Sequence, residues 1–124
     1  MEENTVMERQ LPFEIKAYQE ELLRRQLKYL SEHSPFYKRI FEQHGIDIKS
    51  INTIEDLSRI PTTTKNDVQT FNDDFFCVSK EEIIDYCSTS GTLGKPVTFG
   101  LTDADLERLA YNEMRSFRSM GVQK

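Results

Sequence analysis

No stretch of this 124-residue chain is apolar for anything near the roughly 20 residues that a membrane-spanning helix needs. The opening MEENTV lacks the basic and apolar regions of a secretory signal, so no membrane partner is expected and the cytoplasm is the expected compartment. Basic side chains are outnumbered, 16 against 21 acidic ones for a formal charge of -5, which removes the electrostatic footprint of a nucleic-acid binder. Cysteine is scarce. Cys77 and Cys87 show no C-x-x-C spacing, which argues against a disulfide framework or a zinc site and predicts two reduced, buried thiols. His33 and His44 are the only histidines, neither has an acidic or cysteine partner at metal-ligand spacing, and both read as helix-end residues; no metal site is expected. What is present, 37% hydrophobic and 30% charged residues over the length of one ordinary domain, suffices for one modest core. It does not suffice for two complete domains with a closed cleft between them.

Hydrophobic periodicity organises the first half. From Pro12 to His33, a repeat of about 100° per residue places Ile15, Tyr18, Leu22, Leu23, Leu27, Tyr29 and Leu30 on one broad face, with Glu20, Glu21, Arg24 and Lys28 opposite. Such a face is wide enough to touch more than one neighbour. Ser34-Pro35 interrupts the helix and starts a second one running to about His44, where Gly45 supplies a left-handed cap. Thr53 with Asp56, and Thr64 with Asp67, have the spacing of helix starts on either side of Pro61. Two short helices are therefore expected around 54–58 and 65–70, with Ile54, Leu57, Ile60 and Val68 inward. Ser79 and Glu82 fit a capping box.

From Ile83 the period changes to two. Ile84 and Tyr86 alternate with Asp85, and Val97, Phe99 and Leu101 alternate with Thr98 and Gly100, predicting two strands. Thr102 and Asp105 then open a last helix in which Leu106, Leu109, Ala110, Met114, Phe117 and Met120 share one face and Gly121 closes it. Arg108, Arg115 and Arg118 fall opposite, as a solvated surface.

Between the strands lies STSGTLGKP, Ser88 to Pro96. A Walker A element, G-x-x-x-x-G-K-[ST], would need glycine where Thr89 stands and Ser or Thr where Pro96 stands, so the match fails. Pro96 also biases Lys95 towards extended backbone, leading the loop into a strand with no helix dipole behind it. What remains is a strand–loop–strand phosphate grip. Gly91 and Gly94 can take positive φ and turn backbone amides inward, Ser88, Thr89, Ser90 and Thr92 offer hydroxyls, and Lys95 supplies charge. Composition alone leaves open a plain Ser/Thr/Gly-rich hairpin loop with a solvent lysine. No nucleophile–base set accompanies it: G-x-S-x-G is absent, and carboxylates at adjacent positions such as Asp73-Asp74 do not share a face.

STSGTLGKPV followed by Gly100-Leu101-Thr102 and Asp105-Leu106 resembles the phosphate loop of adenylate-forming enzymes, in particular their phenylacetate–coenzyme A ligase branch. Pro35-Phe36-Tyr37 with Phe41 and Gly45, Ile54-Glu55-Asp56-Leu57, and Ile60-Pro61-Thr62-Thr63-Thr64-Lys65-Asn66-Asp67 are similar, in the same order, to that branch's N-terminal region. The resemblance runs from about Leu22 to the end. It implies a two-step reaction in which a carboxylate attacks ATP, accompanied by Mg²⁺, to give an acyl-adenylate and pyrophosphate, after which the thiol of coenzyme A displaces AMP. Carried over position by position, it implies that Ser88, Thr89, Ser90, Gly91, Thr92, Gly94 and Lys95 hold the β- and γ-phosphates. Three positions depart: Leu93 replaces a second Thr and removes one phosphate donor, Leu101 replaces the usual Tyr, and Thr62 replaces a frequent Phe.

The adenine, acyl and Mg²⁺ contacts of the resembled family, and its lid bearing a catalytic lysine, all follow the matched region. The expectation is therefore the N-terminal piece of such a ligase, inactive by itself, with no catalytic residue in the segment and a small carboxylic acid, aromatic or otherwise, as substrate of the whole. Acyl-protein synthetases share the loop and differ in the acceptor. A different class of reading is a non-catalytic helical interaction module with at most a weak polyphosphate site. The expected fold is α+β: a flexible start at 1–11, a helical region at 12–74, and at 75–124 a β-hairpin carrying the loop at 88–96 with a closing helix, part of a larger adenylate-forming α/β fold. Two strands alone are marginal, so exposed apolar surface and self-association, a homodimer being its simplest form, are also expected.

Overall fold

The computed structural model describes residues 11–91 and 94–122, so the expected flexible start lies, Leu11 apart, outside the described residues. The chain divides into two compact units, Met1–Thr64 and Lys65–Lys124.

The first unit is built on helix α1, Pro12–His33. Proline sits in its first turn, where its missing N–H costs nothing, and the Glu14 carboxylate accepts the Leu11 amide at 2.8 Å. Leu27 is buried on the inner face and Ile15, Tyr18, Leu23 and Leu30 are half-buried. Leu22 and Tyr29 depart from the expected covered face, each being 39% exposed. The apolar stripe is wider than the elements packed on it, and these two residues line an open groove with Leu23, Arg25 and Gln26. Helix α2, Pro35–Gln43, starts where Ser34 Oγ accepts the Tyr37 amide at 3.3 Å, and Gly45 follows its end at φ 60°. His33 and His44 stand at helix ends, as expected.

Two 3₁₀ turns, Ile48–Ser50 and Glu55–Arg59, complete the unit. The Thr53–Asp56 pair forms as its spacing predicts: Asp56 Oδ2 accepts the amides of Asn52 and Thr53, and Thr53 Oγ1 accepts the Asp56 amide. Those amide bonds hold the Asp56 carboxyl below its ordinary pKa. Leu57, expected inward, is 41% exposed because it stands on the wall of a second groove, with Leu23, Leu30 and Ile60, and not in the core. The core itself is Leu27, Phe41 and Ile51, flanked by Leu23, Leu30, Tyr37, Ile46, Ile48 and Ile60. Full burial of such side chains contributes about 1.5–3 kcal/mol each.

The second unit begins with helix α3, Lys65–Thr70, at the predicted bounds, and continues through 3₁₀ turns at Asn72–Phe75 and Lys80–Glu82. Glu82 accepts both the amide and the hydroxyl of Ser79, the expected box. Strands β1, Asp85–Ser88, and β2, Thr98–Leu101, pair antiparallel in the register Asp85↔Leu101, Tyr86↔Gly100, Cys87↔Phe99, Ser88↔Thr98. Directly opposed residues share a face, so Tyr86 lies with Gly100 on one side and Phe99 with Cys87 on the other. The hairpin is thus apolar on both faces, with Ile84 and Tyr86 each 53% and Phe99 50% exposed.

Gly100 is where the hairpin meets its support. A Cβ there would stand 2.7 Å from Ile83 Cδ1 and 2.8 Å from Phe76 Cε1, so only glycine admits that close approach. Helix α4, Asp103–Ser119, is capped by Thr102 and Asp105 as their spacing predicts. Its apolar face is not covered: Leu106 is 37%, Leu109 41%, Phe117 50% and Met120 68% exposed. Arg115 is half-buried over the Tyr111 ring, at 5.9 Å, and not fully solvated as expected. The cysteines also differ from expectation. Cys77 is half-buried and Cys87 exposed, since Cys87 lies opposite Phe99 on a hairpin with exposed side chains on both faces. The architecture is the expected one, mostly helical with a two-stranded hairpin and a closing helix.

Candidate functional site

The residues singled out from the sequence converge on the hairpin turn. Ser88 ends β1 opposite Thr98, and one further rung is added beyond the strands: the Thr89 amide donates to the Val97 carbonyl at 3.0 Å, and Thr89 Oγ1 accepts the Val97 amide at 3.0 Å. In that role Thr89 closes the neck of the loop. Beyond the neck the chain turns on its glycines. Gly91 has φ 66° and Gly94 φ 142°, and the Gly94 amide donates to the Gly91 carbonyl at 3.2 Å. Both values lie where a Cβ is penalised, and at Gly91 a Cβ would also meet Gly94 O at 3.1 Å and the Pro96 ring at 3.2 Å. Both glycines thus take the positive φ expected of them.

Ser88, Thr89, Ser90, Gly94 and Lys95 are exposed, Gly91 is half-buried, and Thr92, like Leu93, lies outside the described residues. The arrangement joins hydroxyl donors, a turn of positive-φ glycines and one ammonium on a single exposed loop. Chemically that is a set of donors for a polyanion. The described residues from Ser88 to Lys95 include no carboxylate, so they offer a divalent cation no anionic ligand.

Two residues that sequence reasoning missed hold this loop in place. Gln69, in α3, donates from Nε2 to the Lys95 carbonyl at 2.9 Å. Asn72 bonds the Thr98 backbone twice, Nδ2 donating to the carbonyl at 2.9 Å and Oδ1 accepting the amide at 2.8 Å. Both stand 26 positions before their partners, and no local spacing signals a contact of that range. In the first unit Thr63, one of three consecutive threonines, shares a hydrogen bond of 2.9 Å with the Tyr37 hydroxyl.

No protein-family model matches the chain. Phenylacetate–coenzyme A ligase of Thermus thermophilus is 39% identical over 110 residues, 88% of this chain and 25% of the relative. The enzymes of the same name from Escherichia coli and Pseudomonas putida are 34% and 33% identical over 87% and 89% of the chain, again 25% of their own length. The chain thus spans about a quarter of the length of the curated relatives it matches. Among solved structures, 2-hydroxyisobutyryl-CoA ligase in complex with 2-HIB-AMP and CoA, in its thioesterification state, superposes with a TM-score of 0.83 at 30% identity, over 91% of this chain and 25% of that one. Its postadenylation state, in complex with 2-HIB-AMP, gives 0.73 over 82% of the chain. Over most of its own residues, therefore, the chain is similar to phenylacetate–coenzyme A ligases, and its fold is that of a corresponding quarter of an acyl–coenzyme A ligase.

Proposed function

We propose that this chain is the phosphate-loop segment of an ATP-dependent acyl- or aryl-acid–coenzyme A ligase, one that activates a carboxylate as its adenylate and passes the acyl group to coenzyme A. The observation that carries the reading is the hairpin turn: two positive-φ glycines, exposed hydroxyls and the Lys95 ammonium, in a segment 30–39% identical to ligases of this chemistry. In this reading Ser88, Thr89, Ser90, Gly91, Thr92, Gly94 and Lys95 hold the β- and γ-phosphates of ATP. As the carboxylate attacks the α-phosphate, negative charge builds on the departing pyrophosphate, and amides and an ammonium already in position stabilise it without reorganising. Mg²⁺ would travel with the nucleotide. A cytoplasmic setting follows from the pools of ATP and coenzyme A that such chemistry draws on.

No group in the segment acts on the carboxylate or the thiol, so the 124-residue polypeptide by itself is expected to form no thioester from ATP, coenzyme A and an aryl acid. ATP–pyrophosphate exchange on the polypeptide that the intact gene encodes, with a panel of aryl and short-chain acids, tests the reading. One acid or class of acids should support exchange, and Lys95→Ala should weaken ATP binding tenfold or more, since a hydrogen bond to a charged group is worth about 1.5–3 kcal/mol. Exchange with no acid, or exchange indifferent to Lys95→Ala, would overturn it. A second reading, a helical interaction module, is favoured by the groove at Leu22 and Tyr29 on α1; it predicts self-association through that helix with no exchange activity.

A further inference from the structure

The turn between the strands is gripped from outside the hairpin by two neutral side-chain amides. Between the last hairpin rung, Thr89 with Val97, and the Gly91–Gly94 bond, the returning limb makes little backbone bonding of its own with the described residues, and Pro96 contributes no N–H. The Lys95 carbonyl is taken up by Gln69 Nε2 at 2.9 Å. The same side chain lies against the bare Cα of Gly94, where a Cβ would come within 3.1 Å of Nε2. At the foot of the limb Asn72 engages Thr98 through both its donor and its acceptor, as a neighbouring strand would.

We infer that Gln69 and Asn72 are positioning residues for the phosphate loop, fixing the limb from Gly94 to Thr98 so that the Lys95 ammonium meets a polyphosphate already in place. The inference rests on the phosphate-loop reading above. Three features of the contacts argue for it. Both anchors bond the backbone and not the ammonium of Lys95, which is on an exposed residue. Both are uncharged, so neither competes with a phosphate for that ammonium, as a carboxylate would. The anchored limb also begins at Gly94, and glycine loses more freedom on ordering than any other residue, so a loop fixed at folding spares the ligand that entropic cost.

Titration of the ¹⁵N-labelled chain with inorganic tripolyphosphate, followed by NMR and paired with thermal melts, tests the assignment. Gln69→Ala should weaken binding about three- to tenfold, the size of one neutral hydrogen bond, with little change in melting temperature. Gln69→Glu, which loses the donor and adds a repelling charge, should weaken it more. In a Lys95→Ala background Gln69→Ala should have almost no further effect, because the amide acts through that lysine; a merely structural role would lower both values additively. Asn72→Ala, which loses both bonds to Thr98, should weaken binding by a factor similar to that for Gln69→Ala, and Asn72→Asp, which loses the donor and adds a repelling charge, at least as much. If Lys95→Ala weakens binding and the Gln69 variants do not, positioning is wrong and the phosphate loop stands. If wild-type chain does not bind tripolyphosphate, or Lys95→Ala leaves binding intact, the phosphate-loop reading fails and this inference with it.

Discussion

The two units bury their apolar residues very differently. In residues 11–64, Leu27, Phe41 and Ile51 are at most 6% exposed and are ringed by partly buried neighbours. Among the described residues of 65–122, Val97 is the buried hydrophobic side chain, at 3%, while Ile84, Tyr86, Phe99, Leu109 and Phe117 remain 41–53% exposed. Sequence content does not explain the contrast, since both units carry well-formed caps and periodic apolar residues. The difference lies in what each unit's elements have to pack against. Helices α1 and α2 and the turns after them close on one another, whereas a hairpin with apolar residues on both faces needs a covering layer on each side.

Several substitutions would sharpen or break this contrast. The largest effect is expected for Phe41→Ala, which should lower stability by about 3–5 kcal/mol in urea denaturation because it empties the closed core. A loss under 1 kcal/mol would mean that the first unit has no such core. Gly100→Ala should cost about 1–3 kcal/mol, by pushing a methyl group into Ile83 and Phe76; a neutral result would show that this contact is not close in solution. Next comes Thr102→Ala, at about 1 kcal/mol, through loss of the cap on α4. The smallest effect on stability is expected for Phe99→Ser, within about 0.5 kcal/mol because the side chain is half exposed. The same substitution should reduce association of the chain at high concentration, measured by light scattering. Wild-type chain that stays monomeric at high concentration would remove the case for a sticky second unit.

Acid response offers a finer comparison, because each unit has a capping aspartate whose pKa is lowered. The Asp105 carboxyl is held below its ordinary pKa, first by the Thr102 amide and then by the Thr102 hydroxyl, and Asp56 is lowered likewise by the amides of Asn52 and Thr53. A depressed folded-state pKa contributes stability that is present above the unfolded pKa and is lost as pH falls through the folded one. Melting temperature should therefore drop as pH is lowered below about 4, and less steeply in Asp56→Asn and Asp105→Asn. Identical acid slopes in all three proteins would contradict these caps.

How far the sequence could be read follows the range of the interactions involved. Helix bounds at Pro12, Pro35 and Lys65 and the caps at Ser34, Asp56, Ser79 and Thr102 are set within four residues, and those are legible. So was the hairpin, because period-two alternation flanks a glycine-rich turn. Exposure was not legible at Leu57, Cys87 or the Leu109–Phe117 face, since it depends on what lies opposite a side chain and not on its spacing. The positive φ of Gly91 and Gly94 was readable from the loop's own residues, but the side chains that bond it were not. Gln69 and Asn72 reach it across 26 positions, and nothing in TKNDVQTFND marks them as partners of Lys95 and Thr98.

In the proposed function the turn from Ser88 to Pro96 embraces the triphosphate of ATP. A crystal structure of the polypeptide encoded by the intact gene, bound to a nonhydrolysable ATP analogue, tests it most directly. The expected result is β- and γ-phosphate oxygens at about 2.7–3.2 Å from Lys95 Nζ and from the hydroxyls of this turn. A triphosphate seated elsewhere, with the turn free of contact, would contradict it.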